Sequence, residues 1–320
     1  MTVTPVRRDT TATGTMPPRA QSGRGGTGRT HDRWWTPWLF LVPALAIVVV
    51  FILFPFANTL ALSATDATLL KPGQFVGADN FVRLWHDDRF RTAMTNSLLY
   101  VVCVVPVMVA APLVLAALVN GTTRILGFLR TAYYLPVVMS SVIVGLIWTN
   151  LLDSRGLVNQ VLDWLGVISE PVPFLSGRWL TLLSAMVVTI WTGLGYYMVI
   201  YLAALANIDP ALYDAASVDG AGPIRQFLHV TVPGVRTTSA LIGLFSSVSA
   251  FRVFGEVYIL TGGTGGVGGQ NITITMLIQQ EGTGLQAETG YAGAISVVMF
   301  VVLGLLLAGQ LRFQRRGGSR

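Results

Sequence analysis

Asp214, Ala215 and Ala216, then Asp219, Gly220 and Ala221, then Phe227 and Pro233 fall within residues 213–233, between two long apolar runs. Their chemistry is that of surfaces: Ala215, Ala216, Ala221 and Gly222 let another protein approach closely, and Phe227 offers it an anchoring ring. Local signals predict two short helices here. Asp209 caps the first, and Pro210 takes a first position where a missing N–H costs nothing. Asp214 is placed in the first turn, where negative charge suits the helix dipole. Gly220 ends that helix in a left-handed conformation, Gly222 and Pro223 start the second, and Pro233 stops it.

Reactive groups elsewhere are sparse. Cys103 is the single cysteine, so no intrachain disulfide or cysteine-based metal site is open to the chain. His31, His86 and His229 are scattered over a tail, a loop and the 213–233 segment, and no metal site is expected. Lys71, the only lysine, follows no glycine pattern of a phosphate-binding loop, which excludes ATP hydrolysis through such a loop. Arg252 and Glu256 stand four apart in an apolar run, so one helical face would carry both and let them neutralise each other. Charges at membrane depth face a bundle interior or a wet cavity.

The elements that position these residues are membrane spans. Hydrophobic residues make up 52% of the chain and charged residues 11%, and mean hydropathy is +0.62. That composition belongs to an all-α integral membrane protein. Six apolar stretches approach the roughly 20 residues a spanning helix needs: 38–56, 97–119, 131–152, 180–205, 239–260 and 292–311. Arginines fall before the first stretch, between the second and third (Arg124, Arg130) and after the last (Arg312, Arg315, Arg316, Arg320). The positive-inside rule then puts both termini in the cytosol, and parity puts the loop over 207–236 there too. Residues 1–33, rich in Gly, Thr, Pro and Arg, read as a disordered basic tail, 34–312 as the membrane domain and 313–320 as a second basic tail. Trp34, Trp35 and Trp38 look like an interfacial anchor. A net charge of +6 sits mainly in the tails, which favours anionic headgroups and topology over nucleic acid.

The 213–233 segment resembles the EAA loop of ABC importer permeases. Against the pattern Glu-Ala-Ala, two spacers, Asp-Gly-Ala, five spacers, Phe and a later Pro, only Asp214 departs, by one methylene. The resemblance runs over 38–312 and points to the carbohydrate and glycerol-phosphate, maltose-type branch, first-permease type. It is carried by LVPALAIVVVFILFP, FVGADNFVRL, RTAYYLPVVMSSVIVGLIW, GLVNQVLDWLG and VFGEVYILTGG. Thr264 follows Gly262 and Gly263 where the family usually has Pro, so a looser loop is expected.

What the resemblance implies is a noncatalytic subunit with a type I importer permease fold in a bacterial cytoplasmic membrane. It implies a heterodimer with a second permease, two ATPase subunits that bind ATP and magnesium, and an external solute-binding protein. This chain itself would bind no cofactor. The cargo implied is a sugar or sugar-like solute. Where maltose-type permeases place their solute contacts, this chain has Trp191, Tyr196 and Tyr197 in the fourth span and Ser246, Ser247 and Ser249 in the fifth: stacking faces with hydroxyl partners. Read without the loop pattern, the same composition also suits a secondary transporter or channel working without an ATPase, or a membrane scaffold.

Overall fold

The computed structural model describes residues 35–317; the tail over 1–33, Trp34 and residues 318–320 lie outside the described residues. Among the described residues there are five helical segments long and apolar enough to cross a membrane, and six when one bent pair is counted as a span.

The first span, Trp38–Ser63, is built from α1 (Thr36–Val48), a π-helical turn at Val49–Leu53 and α2 (Phe54–Ser63). None of its apolar window is buried, whereas the second, fourth and fifth spans each bury 39% of theirs. The packed centre is therefore made by those three. A short helix α3 (Asp79–His86) precedes the second span, α4 (Asp88–Leu118). The third span is two helices, α5 (Arg124–Val138) and α6 (Ser141–Leu151), bent by 100°. After α7 (Leu157–Trp164) comes the fourth span, α8 (Arg178–Leu205). Next are α9 (Pro210–Val218), α10 (Pro223–Gln226) and α11 (Val232–Gly234), with a π-helical turn at Phe227–Thr231 before α11. The fifth span joins α12 (Arg236–Phe251) to α13 (Gly255–Leu260). Helix α14 (Ile274–Gly282) leads to the sixth span in α15 (Thr289–Gly317). That last helix continues through most of the segment read from sequence as a tail.

Lipid is as apolar as the side chains it surrounds, so spans associate through close packing and interhelical hydrogen bonds. Helix α4 packs against α8 and α12, and α5 against α8. Tyr100, Met198, Tyr201 and Ile242 are wholly buried at these contacts. Tyr100 shares a hydrogen bond with Thr189 Oγ1 (2.8 Å), and Tyr201 donates toward Val109 O and Ser239 Oγ, both at 3.0 Å. Gly195 is needed for the α5–α8 approach, since a Cβ there would fall against the backbone of Tyr133 and Tyr134. Arg130, one of the arginines used to orient the chain, bonds the carbonyls of Val119 and Gly121. It thereby caps the carboxyl end of α4, where positive charge is favoured.

Two spans are not the straight helices that hydrophobic runs predict. In the third, Pro136 has no N–H to return to the preceding turn, and Met139 and Ser140 are extended (ψ 145° and 134°). In the fifth, residues 252–254 leave the helix, with Phe254 at φ −139°, ψ −60°. The freed carbonyl of Val253 is met by the buried hydroxyl of Thr273 (2.9 Å). Irregular backbone at membrane depth is tolerated only with such partners or beside a wet cavity.

The connection between the fifth and sixth spans is ordered around α14, a buried helix that the apolar run QNITITMLIQQ did not announce beside its neighbouring spans. Asn96 of α4, fully buried, donates to Gln270 O and Ile272 O (both 2.9 Å), and Ser97 Oγ accepts from the Ile274 N–H (2.9 Å). Thr264 does not leave its loop untied: its hydroxyl donates to Thr261 O (2.7 Å) and accepts from the Gly266 N–H (3.2 Å).

Candidate functional site

The segment α9–α11 is built much as its turn chemistry dictates. Asp209 Oδ1 accepts from the Ala211 N–H (2.9 Å), and Pro210 opens α9. Gly220 adopts φ +75°. Its N–H donates to Ser217 O (3.0 Å) while the Ala221 N–H reaches Ala216 O (2.9 Å), the paired bonds of a Schellman motif. Gly222 and Pro223 then open α10.

Two local expectations are corrected. Asp214 lies beyond the first turn of α9, out of the helix N-terminal field. Pro233 does not stop the second helix: it lies inside α11, and the interruption comes at Val235 (φ −101°, ψ 13°). The π-helical turn widens the ladder just ahead of it, with the Val232 N–H bonded to Phe227 O, so the ring fits without breaking the chain's course. Phe227 is half-buried and packs on the core of its own chain. It lines a niche of about 360 Å³ with Val114, Ala117 and Leu118 at the end of α4.

Sequence reasoning missed the bonds that brace this segment. Tyr213 OH meets Thr231 Oγ1 (2.9 Å), and Gln226 Nε2 donates to Ser217 Oγ (2.9 Å) and Ala221 O (3.0 Å). With that brace set, Asp214, Ala215, Asp219 and Gly220 are exposed and Ala216 and Ala221 half-buried. Beside them stand apolar side chains that the sequence reading passed over, Val218 at 88% and Ile224 at 77% exposure.

The second place of interest is a cavity of about 530 Å³ walled by α4, α5, α6, α8, α12 and α13. Both helix breaks open onto it, through Pro136, Met139 and Ser141 on one side and Arg252, Val253 and Phe254 on the other. Of the residues expected to line a pathway, Tyr196, Tyr197, Ser246 and Ser249 do so, as do Arg252 and Glu256. Tyr196 and Tyr197 meet edge to face, with centroids 5.2 Å apart. Trp191 and Ser247 are not among the lining residues. Trp191 packs edge-on against Trp148 at 5.6 Å. Ser247 is buried between spans, donating to Gly243 O (2.7 Å) and accepting from Gln310 Nε2 (2.6 Å).

Arg252 and Glu256 do not form the expected ion pair. The ion pairs of the described residues are Arg83–Glu288, Arg89–Glu281 and Arg91–Asp88. The spacing rule that pairs residues four apart assumes one continuous helix, and here α12 ends at Phe251 and α13 begins at Gly255. Thr189, Thr192 and Ser141 add hydroxyls to the wall and were overlooked. The run Pro136 to Ser141, which interrupts an otherwise apolar stretch, was the available signal for that part of it.

Apolar spans gathered round a cavity whose wall mixes apolar side chains with the hydroxyls of Thr189, Thr192, Ser246 and Ser249 and the charged Arg252 and Glu256, with a braced helical segment carried between the fourth and fifth, define a multi-pass membrane transport protein of the permease class. The chain belongs to the family described as "Binding-protein-dependent transport system inner membrane component", which matches residues 88–317. It is an inner-membrane permease component of an ABC importer. Among its relatives is the lactose transport system permease protein LacF of Rhizobium radiobacter, 33% identical over 90% of this chain and 96% of that one. The diacetylchitobiose uptake system permease protein NgcF of Streptomyces coelicolor is 31% identical, over 88% of this chain and 84% of its own length. A crystal structure of a bacterial ABC transporter involved in the import of alginate superposes with a TM-score of 0.75 at 27% identity, covering 89% of this chain and 96% of that chain.

Proposed function

We propose that this chain carries a sugar or sugar-like solute across the membrane, drawing on ATP hydrolysis by separate subunits that dock on α9–α11. The observation that carries the reading is the braced, exposed surface of that segment: small residues around a left-handed Gly220, flanked by Val218 and Ile224. Rigid backbone with small side chains admits close approach, and the exposed apolar residues supply what a partner would bury. Asp214, in place of the family's Glu, reaches one methylene less far toward such a partner.

The arginine distribution supports a cytoplasmic location for this segment and for both termini. On that orientation a second permease completes the pathway whose wall holds Tyr196, Tyr197, Ser246, Ser249, Arg252 and Glu256, and an external receptor delivers the solute. The names of the relatives, for lactose and diacetylchitobiose, support a carbohydrate cargo. The chain itself acts without catalysis, by taking two conformations that the ATPase subunits bind differently.

The test is reconstitution of this chain with its second permease, ATPase subunits and receptor in proteoliposomes. Solute uptake that requires ATP, and an ATPase subunit that crosslinks to cysteines placed at Val218 or Ile224, are expected. Uptake driven by an ion gradient alone, or labelling of those positions from the outer face, overturns the reading.

A further inference from the structure

The connection between the third and fourth spans has no part in the transport reading, yet its helix turns apolar residues outward. On α7 and its C-cap, Leu157, Val161, Trp164 and Leu165 recur at i, i+4, i+7 and i+8, one face of a helix. They are 58%, 44%, 84% and 57% exposed. The inward side is fixed by bonds. Asn159, 3% exposed, donates to Asp153 O (3.0 Å) and Val172 O (3.1 Å) and accepts from the Val172 N–H (2.8 Å). Val158 packs on the core. The outward apolar face is thus a consequence of how the connection folds around Asn159.

We propose that α7 lies in the membrane–water boundary with this face held in lipid. Three observations select lipid as the occupant. Only residues 152–156 separate α7 from the end of α6, a reach of at most about 20 Å, so the helix stays beside the level at which the third span leaves the bilayer. Exposed indoles stand at the end of α7, Trp164, and in the first turn of α8, Trp179 at 64% exposure, and tryptophan concentrates at the boundary because its ring is apolar and its N–H polar. The face is also small. A stable protein interface takes roughly 20–30 residues from each side, whereas four side chains suffice to seat a helix in a lipid surface to which its span already tethers it. The polar flank of α7 carries Gln160 and Asp163, which remain toward water.

The experiment uses the assembled transporter in nanodiscs of phosphatidylethanolamine and phosphatidylglycerol, with Cys103→Ser as the background. Nitroxide labels at Val161→Cys, Trp164→Cys and Asp163→Cys are scored for collision with oxygen against a water-soluble nickel chelate. Oxygen collisions several-fold above nickel at 161 and 164, with the ratio inverted at 163, are expected. Nickel collisions predominating at all three sites overturn the proposal in favour of open water. Low collision with both reagents at 161 and 164 overturns it in favour of a protein cover. Independently, brominated lipid should quench the fluorescence of the unsubstituted protein more than that of Trp164→Phe; equal quenching counts against lipid contact.

Discussion

Replacing Gly220 by valine isolates one physical term. A Cβ at this position meets no atom within 4 Å, so the side chain enters open space and no clash obscures the result. The whole cost lies in the backbone, which holds φ +75°. For a residue with a Cβ that region costs about 1–2 kcal/mol, and a β-branched residue is worse placed there than most. The Schellman bonds from Gly220 and Ala221 form only while the turn keeps this conformation. Gly220→Val therefore shifts the docking segment away from its braced form by a factor of up to about 5–30, and apparent affinity for the ATPase subunit weakens as the braced fraction falls, by at most that factor. Gly220→Asn, whose side chain tolerates the left-handed region, should lose less, and Gly220→Ala should fall between. Affinity is read by titrating purified ATPase subunit onto the permease pair in nanodiscs, with thermal unfolding of the membrane domain as a control expected to stay unchanged. Wild-type affinity in the valine variant, or a larger loss in the asparagine variant, refutes the reasoning.

Removing the brace should loosen the same segment without touching its surface: Tyr213→Phe and Gln226→Ala each cost about 1 kcal/mol, seen as roughly fivefold faster amide exchange over residues 209–234. At the cavity, Arg252→Gln and Glu256→Gln should each lower initial uptake rates, and the double variant should restore nothing, because no ion pair joins them; recovery in the double variant would mean that they pair during transport. Thr273→Val leaves the buried Val253 carbonyl without its hydroxyl and should destabilise by about 1–3 kcal/mol, read as a lower unfolding midpoint in detergent.

What the sequence made legible is what is encoded locally. A glycine after a short run of small residues, and a proline directly after a glycine, each fix a backbone event within one turn, and Gly220 and Pro223 behave accordingly. Apolar length likewise located every span. Straightness is a different matter, because hydrophobicity reports what surrounds a segment and not how its axis runs. Met139 and Ser140 are extended with neither proline nor glycine at the bend itself, and the break after Phe251 is held by Thr273, which lies far along the chain. Pairing Arg252 with Glu256 failed for that reason, as did placing Ser247 on the cavity wall: its partner, Gln310, belongs to another span. That the end of α4 lies beside Phe227 is likewise not legible in the sequence, because the two are more than a hundred residues apart.

The two helix interruptions that open onto the central cavity have a bearing on descent. Peptide groups released at such bends belong to the main chain, so every descendant that keeps the bends inherits them whatever side chains it acquires. Substitutions along the wall can then retailor shape and charge for new cargo while the bends that shape it stay in place. One architecture can in this way diversify across many nutrients while its route through the bilayer stays unchanged.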